Sequence, residues 1–225
     1  MLENRLLLLV RHGLPDYRGN KAGDEPPGPD LSPIGRCQAA QTANFINQYV
    51  AGHKSPATPH PRPTCIHTSP LARAVQTARI ISDACAIPCR VDSDLKEWHR
   101  TESLYDVTQR CARWFHRWLH GDERSAVVVT HGSPLLAIIR TALYLPHRSW
   151  ANLHTADRFE VAMASLFEIL ITPRHCCARR LFHPSPRILE LRRGHVVSTF
   201  PRPAAPPENC RICRPNLGRV VGMPA

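Results

Sequence analysis

Two runs of apolar residues constrain the fold of this chain more than any other feature. Residues 6–10 (LLLLV) and 126–130 (AVVVT) contain no charged side chain, and each run has the length of one strand. A strand that is apolar on both faces needs a cover on both faces, which is typical of a parallel sheet between two layers of helices. Shorter or weaker strands are predicted at residues 64–67, 89–91 and 163–171.

Helical segments alternate with these strands. Three of them, over residues 32–50, 69–84 and 133–145, begin with serine followed by proline. Serine can cap a free helix amide, and proline fits the first helical position because no N–H is needed there. A fourth helix is predicted over residues 103–120, and the alternation predicts an α/β fold, a three-layer α/β/α sandwich with a mainly parallel central sheet. The apolar positions of the fourth helix recur at helical spacing: Leu104, Val107, Cys111, Trp114 or Phe115, and Trp118.

The pattern weakens after Pro173. We expect one domain over residues 1–200, with a last strand pair at 188–191 and 196–200, and a flexible Pro/Arg-rich tail over residues 201–225. The net charge of +11 is concentrated toward this end, because ten arginines and only two glutamates follow Pro173. The body of the protein is therefore only mildly basic, and a nucleic-acid partner is not expected.

The composition bears on the compartment of the protein and on the state of its cysteines. The chain has no apolar run of membrane-spanning length and no recognisable signal peptide, so we expect a soluble, cytoplasmic protein. Nine cysteines are scattered along the sequence without a disulfide framework, which indicates reduced thiols. The later cysteines, Cys176-Cys177 and Cys210-x-x-Cys213, have poor spacing for metal ligands, so no metal site is predicted. The sequence leaves the oligomeric state open.

Cationic and imidazole side chains follow the ends of the predicted strands. Arg11 and His12 follow the first, Arg73 lies in the first turn of the helix after the second, and His131 follows the third. The carboxyl ends of parallel strands meet at one edge of a sheet, where ligands bind. Arginine forks and free helix amides both favour phosphate. The sequence therefore predicts a phosphate site at this edge, where His67 is interpreted as an ordinary strand histidine, with a place in the pocket as the alternative.

The stretches LVRHG, LSPIGRCQAAQTA, TSPLARAVQTARII and VVVTHGSPLLAII resemble the four signature stretches of the histidine phosphatase superfamily, branch 1, the phosphoglycerate-mutase-like branch. The resemblance implies that His12 is a nucleophile that forms a phosphohistidine. It also implies that Arg11, Arg73 and His131 clamp the phosphoryl oxygens, with the backbone N–H of Ser133 as a further donor. Because the arginines supply the positive charge, neither a metal nor another cofactor is expected.

The family's general acid is a glutamate in an L-x-E stretch, which Leu95-Lys96-Glu97 matches. Glu97 is therefore the predicted acid, and Glu102 is ranked behind it as a helix-start residue, with Asp16 to be checked if neither reaches the site. Family members usually have a lid of a few tens of residues between the two acidic stretches. Here Glu97 and Glu102 are five residues apart, so the lid region is shortened and we expect an open site.

The residues after RHG help to distinguish a phosphatase from a mutase. Mutases of the family tend to continue with Ser or Thr and then Asn, whereas this chain has Leu14-Pro15-Asp16-Tyr17-Arg18. This difference favours a metal-independent phosphomonoesterase. A non-catalytic phosphate-binding pseudophosphatase and a phosphoglycerate-mutase-type phosphotransferase remain as alternatives. Arg18 is either a replacement phosphate contact or an exposed loop residue. The expected substrate is a small phosphorylated metabolite or a phosphoprotein.

Overall fold

The computed structural model describes residues 4–19, 23–52, 61–143, 161–173 and 176–184, and within them a single six-stranded sheet lies between two pairs of helices. The strands are β1 (Arg5–Arg11), β2 (Cys65–Thr68), β3 (Cys89–Val91), β4 (Ser125–Thr130), β5 (Leu166–Ile171) and β6 (Cys176–Phe182). The helices are α1 (Pro33–Gly52), α2 (Ala72–Cys85), α3 (Leu104–His120) and α4 (Gly132–Ala142). Two short 3-10 turns occupy Tyr17–Gly19 and Ser93–Leu95.

The sheet has the strand order β3-β2-β4-β1-β5-β6. Strands β1 to β4 are mutually parallel, whereas β5 is antiparallel to β1 and β6 is antiparallel to β5. Helices α1 and α2 cover the face that carries Leu6, Leu8 and Val10, and α3 and α4 cover the face that carries Leu7 and Leu9. The predicted α/β/α sandwich with a mainly parallel sheet is confirmed. The central strand is apolar throughout because each of its faces lies under a helix pair.

Two of the three predicted serine caps are wrong. Ser32 does cap α1, where its hydroxyl accepts a hydrogen bond from the Gly35 N–H at 3.0 Å. Helix α2 begins only at Ala72, because Ser69 still belongs to the sheet edge and donates its N–H to Val129. Helix α4 begins at Gly132, so Ser133 lies inside its first turn. The fourth helix begins where predicted, with Ser103 as cap, but Leu104 at its start is exposed rather than buried.

The C-terminal strands differ from expectation. Strand β5 begins three residues later than predicted, because residues 162–165 form a turn in which the Ala164 N–H donates to the carbonyl of His12. Strand β6 was not predicted, since Arg179 and Arg180 interrupt its apolar pattern. Arg179 is accommodated by an ion pair with the buried Glu168 at 2.9 Å. The predicted strand pair at 188–191 and 196–200, the division at residue 200 and the tail lie outside the described residues.

Two glycines allow the RHG loop to lie against the start of α1. A Cβ atom on Gly35 would come within 2.1 Å of the Leu14 carbonyl oxygen, and one on Gly13 within 2.4 Å of the Gly35 carbonyl oxygen. Both contacts are with backbone atoms, so a side chain at either position would push the loop away from the helix. This close approach fixes the loop that carries His12. Among the described residues, no helix has the length and hydropathy needed to cross a membrane.

Candidate active site

The reactive geometry centres on His12, which directly follows β1 and is 2 % exposed. Its Nδ1 lies 2.7 Å from the carbonyl oxygen of Gly13, an acceptor that fixes the ring hydrogen on Nδ1. Its Nε2 then carries the lone pair and accepts a hydrogen bond from Arg73 Nε at 3.1 Å. Burial, followed by the positive charges of Arg73 and Arg11, lowers the pKa of His12 to about 3. The ring is therefore neutral at physiological pH, with Nε2 available as a nucleophile.

Two guanidinium groups belong to this site, that of the buried Arg73 and that of the half-buried Arg11. Arg73 projects from the first turn of α2 and is 2 % exposed, and its Nη1 has no hydrogen-bond partner among the described residues. Arg11 ends β1 and donates to the carbonyl of Val161, which leaves its Nε without a partner there. Burial lowers the pKa of both arginines, although a guanidinium keeps its charge at neutral pH. Both groups therefore hold unused donors beside His12.

His131 contributes a third donor. It follows β4, is fully buried, and packs edge-on against His12 with the ring centroids 4.9 Å apart. Burial, followed by the neighbouring His12 ring and the positive charge of Arg73, holds the pKa of His131 well below the ordinary value, so the ring is neutral. Ser69 Oγ accepts from the Leu71 N–H and lies 2.7 Å from His131 Nε2, which favours donation of the hydroxyl hydrogen to Nε2. The imidazole hydrogen then lies on Nδ1, which has no partner among the described residues.

The unused donors define what this site accepts. Arg11 Nε, Arg73 Nη1 and His131 Nδ1 are all buried nitrogen atoms without hydrogen-bond partners in the described part of the chain. Buried donors without partners cost on the order of 1–3 kcal/mol each, more when charged, and such groups are usually satisfied by a ligand or water. A phosphoryl group supplies several acceptor oxygens and the matching negative charge. The arrangement is therefore complementary to a phosphate ester beside His12 Nε2.

Glu97 supplies a carboxyl group at the same site. Its Oε2 lies 3.8 Å from His131 Nδ1, and its Oε1 accepts a hydrogen bond from the Trp98 N–H at 2.8 Å. Burial raises the pKa of Glu97 despite the opposing effects of the Trp98 N–H and of Arg73. A carboxyl group that keeps its proton to a higher pH than usual suits a general acid.

Glu102 has a different environment. Its carboxylate accepts two hydrogen bonds from Arg110, at 2.9 and 3.1 Å, and one from the His99 N–H at 3.0 Å. Burial alone would raise the pKa of Glu102, but the hydrogen bonds from Arg110 and His99 outweigh it, and the pKa is lowered. An ionised, fully paired carboxylate of this kind holds structure together and has no proton to give.

Arg110 is a buried residue that the sequence did not single out. Its Nη1 donates to the carbonyl oxygens of Asp94 and Lys96 at 2.7 and 2.8 Å, and its Nη2 donates to that of Glu97 at 3.1 Å. The same guanidinium group also donates to the Glu102 carboxylate. One side chain therefore holds the whole connection between the 3-10 turn at Ser93–Leu95 and helix α3. In this chain the connection is only residues 96–103, so Arg110 fixes the backbone from which Glu97 reaches the site.

Replacement of Arg110 by lysine is expected to lower kcat by about 10–100-fold, because an ammonium group cannot serve three carbonyls and a carboxylate, and misplacement of a catalytic group by about 1 Å costs about 100-fold. The inhibition constant of inorganic phosphate should stay within a factor of about two, since the phosphate donors are untouched. Arg113→Lys, on the exposed side of the same helix, is the matched control. A parallel loss of kcat and phosphate affinity would contradict a positioning role.

Of the remaining predicted residues, Arg18 and Asp16 pair with each other, whereas Ser133 offers a backbone amide at the sheet edge. Arg18 is exposed and pairs with Asp16 at 2.6 Å, with no hydrogen bond to the residues around His12. The hydrogen bonds from Arg18 lower the pKa of Asp16 to about 2, so this carboxyl group holds no proton at neutral pH. Ser133 is the second residue of α4, so its N–H is one of the amides that the helix leaves unbonded at the sheet edge.

Two further residues, Thr77 and Ser69, support the site in ways that the sequence did not indicate. The Thr77 hydroxyl accepts from the Gly13 N–H at 3.1 Å and donates to the Arg73 carbonyl at 2.8 Å, which joins the loop after β1 to α2. Ser69 orients His131 rather than capping α2. His67 makes no hydrogen bond to this cluster and instead pairs with Glu123 at 2.7 Å, consistent with its interpretation as a strand histidine outside the pocket.

A neutral, buried histidine among cationic donors at the carboxyl ends of parallel strands is the arrangement of a histidine-dependent phosphatase. The chain belongs to the histidine phosphatase superfamily, branch 1, whose family model matches residues 7–102 and 98–181. The resemblance drawn from the four sequence stretches is thereby confirmed.

Among curated proteins, the chain is 25 % identical over 186 residues to a glucosyl-3-phosphoglycerate phosphatase of Mycolicibacterium vanbaalenii, covering 65 % of this chain and 77 % of that one. It is 28 % identical over 171 residues to the enzyme of that name from Mycobacterium tuberculosis, covering 71 % and 70 %.

Solved structures share the fold. A mycobacterial glucosyl-3-phosphoglycerate phosphatase in complex with VO3 aligns with a TM-score of 0.59 and 24 % identity, covering 73 % of this chain and 90 % of that one. A putative alpha-ribazole-5'-P phosphatase from Escherichia coli aligns with a TM-score of 0.60 and 18 % identity, covering 78 % and 95 %.

Proposed function

We propose that this protein is a metal-independent phosphomonoesterase that works through a phosphohistidine on His12. The observation that carries the proposal is the set of buried, unpaired donors around His12 Nε2: Arg11 Nε, Arg73 Nη1 and His131 Nδ1. They match a phosphoryl group, and the neutral ring beside them offers a lone pair for attack on phosphorus. The arginines supply the positive charge that stabilises the transition state.

In the first step, His12 Nε2 forms a bond to phosphorus as the bond to the ester oxygen breaks. The Glu97 carboxyl proton passes to that oxygen, so the alcohol leaves neutral. The hydrogen on Nδ1 stays with the ring, where the Gly13 carbonyl stabilises the positive charge that develops. Arg73 exchanges its hydrogen bond with Nε2 for one with a phosphoryl oxygen, which frees the lone pair for attack.

In the second step, the Glu97 carboxylate takes a proton from water, and the water oxygen attacks the phosphohistidine. The P–N bond breaks, inorganic phosphate leaves, and His12 returns to its neutral form. One carboxyl group thus acts as acid and then as base, which its raised pKa suits. Ser133 is proposed to add its backbone N–H to the phosphoryl oxygens, whereas Arg18, paired with Asp16, has no such role in this proposal.

A catalytic role is favoured over a phosphate-binding pseudophosphatase because Glu97 directs a carboxyl group at the cluster, 3.8 Å from His131 Nδ1. Hydrolysis is favoured over a mutase-type phosphotransfer because the short connection over residues 96–103 carries no lid to retain a phosphorylated intermediate.

The proposed substrates are small phosphorylated metabolites, in line with the phosphatases to which the chain is similar. A panel of sugar phosphates and phosphoglycerate derivatives, including glucosyl-3-phosphoglycerate, tests this by release of inorganic phosphate. Transfer of phosphate between substrates without its release would favour the phosphotransferase instead.

The acid is tested by the pH dependence of kcat/KM. Because Glu97 must carry a proton and its pKa is raised, kcat/KM should fall on the alkaline side, with a midpoint above the ordinary glutamate pKa. On the acid side, no inflection is expected in the ordinary histidine range, since His12 stays neutral down to a pKa of about 3. The ionisation of the substrate is common to all variants and is removed by comparison with Glu97→Gln, which should lose the alkaline limb.

Substrates with different leaving groups distinguish the roles of Glu97 and Glu102. Glu97→Gln should lower kcat by about 10²–10⁴-fold for an alkyl phosphate, whose alcohol needs a proton, and by much less for a nitrophenyl phosphate, whose phenolate leaves unaided. Glu102→Gln disturbs only the backbone support and should lower kcat equally for both substrates. An equal loss in Glu97→Gln for both substrates would remove Glu97 from the acid role.

A further inference from the structure

A second group of potential ligands lies outside the active site, on β2 and the residues before β4. Cys65 and His67 are two residues apart on β2, so both side chains point to the same face of the sheet. This is the face covered by α3, where His67 packs edge-on against Trp114. The Cys65 thiol, an imidazole nitrogen of His67 and a carboxylate oxygen of Glu123 all lie within 4.8 Å of one another. None of these three side chains has a place in the proposed mechanism.

His67 and Glu123 are hydrogen-bonded to each other, and this bond must give way when both side chains bind one ion. His67 is 7 % exposed, its Nε2 lies 2.7 Å from Glu123 Oε2, and its Nδ1 has no hydrogen-bond partner among the described residues. The other carboxylate oxygen of Glu123, Oε1, accepts from the Thr64 hydroxyl at 3.3 Å. Such a contact orients a carboxylate in the way that outer-shell partners orient metal ligands. Cys65 and Glu123 are partly exposed, so a cation can enter from solvent.

We propose that Cys65, His67 and Glu123 bind a divalent zinc ion, with water in the fourth position. A thiolate, an imidazole and a carboxylate are ligands that zinc uses, and the three ligand atoms lie within 4.8 Å of one another. Tetrahedral coordination places neighbouring ligand atoms about 3.5 Å apart, so side-chain rotations are needed to close the site around an ion. Binding releases the thiol proton of Cys65. Arg90, which is opposite His67 in the sheet register, is an exposed cation on the neighbouring strand.

The site lies at the opposite end of β2 from the active site. Strand β2 runs from Cys65 toward Thr68 and Ser69, and it is Ser69 that contacts His131. The ion therefore joins β2 to the start of β4 without reaching the phosphate donors. Its expected effect is on stability, because a ligand that binds only the folded state raises the unfolding temperature in proportion to the logarithm of its concentration.

The test uses the whole chain in reduced, metal-free form. It is titrated with Zn²⁺ in competition with a chromophoric chelator and, in a separate experiment, with Co²⁺. Co²⁺ should give a thiolate-to-metal charge-transfer band together with visible bands of tetrahedral intensity. Loss of an outer-shell partner weakens metal binding by about 10–100-fold, so loss of a direct ligand in Cys65→Ser or Glu123→Gln should weaken it by at least about 100-fold. Both variants should also lose the rise in unfolding temperature with Zn²⁺.

Two controls make the result specific. Cys89→Ser removes an exposed thiol on the neighbouring strand whose Sγ faces the Ala78 carbonyl on α2, so binding should be unchanged. Cys210→Ser with Cys213→Ser removes the C-terminal Cys-x-x-Cys motif, and the thiolate band of the Cys65 site should persist. The proposal is overturned if Cys65→Ser retains the zinc affinity of the unmodified chain, or if the band disappears only in the Cys210/Cys213 variant.

Discussion

Replacement of His12 by alanine is expected to lower hydrolysis of an aryl phosphate by at least about 10⁴-fold, since removal of a nucleophile from a cooperating catalytic set costs about that much or more. The loss should appear in kcat. The reason is geometric: the Gly13 carbonyl holds the ring hydrogen on Nδ1, so Nε2 carries the lone pair that we propose attacks phosphorus. No neighbouring group can replace it, because His131 keeps its Nε2 toward Ser69.

Phosphoenzyme trapping provides the decisive measurement for His12. Radiolabelled substrate, quenched in alkali, should leave label on the unmodified protein that is lost in acid, as expected for phosphohistidine, and none on His12→Ala. His116→Ala, an exposed histidine on α3, should retain both label and turnover. Circular dichroism establishes that the variant is folded. Turnover of His12→Ala within about tenfold of the unmodified chain, or label that survives in it, would exclude the phosphohistidine route.

Replacement of Arg73 by lysine is expected to cause the second large loss of kcat/KM. Arg73 has one donor on His12 and another, Nη1, directed into the site without a partner among the described residues. Lysine keeps the charge but loses the planar fork, so transition-state contacts are lost. We expect kcat/KM to fall by about 10²–10³-fold, the usual cost of one donor at a developing negative charge. Competitive inhibition by vanadate should weaken in parallel, because a phosphate analogue is expected to use the same donors.

The matched control for Arg73 lies on the same helix. Arg79 is exposed on α2, and Arg79→Lys should leave kcat/KM and vanadate inhibition unchanged. Thermal unfolding of Arg73→Lys separates a chemical effect from loss of the fold. If folded Arg73→Lys stays within about threefold of the unmodified kcat/KM, charge alone is sufficient and the fork has no special role.

Much of this arrangement was readable from the sequence. The apolar runs at residues 6–10 and 126–130 predicted a parallel sheet, because uninterrupted apolar strands need cover on both faces. The placement of Arg11, His12, Arg73 and His131 after strand ends predicted that they meet at one edge, and the structure brings them together. These features follow from local periodicity and from the geometry of parallel sheets, so they require no knowledge of packing.

Other features had no such signal. Strand β6 escaped prediction because Arg179 in an apolar run looks like loop sequence until Glu168 is seen beside it. Two serines read as helix caps were not, and one of them, Ser69, orients His131 instead. The role of Arg110 depends on carbonyl groups 13 to 16 residues away, which no spacing rule identifies.

The sequence by itself therefore determined the fold class and the candidates for the reactive groups, because strand and helix patterns and strand-end residues are local properties of the chain. Only the tertiary structure decided how those groups are prepared. The tautomer of His12, the orientation of His131 and the attachment of the Glu97 segment to Arg110 all depend on side chains meeting backbone atoms from other elements. Such contacts form only when the layers pack, and burial in those layers shifts the pKa values on which the proposed chemistry depends.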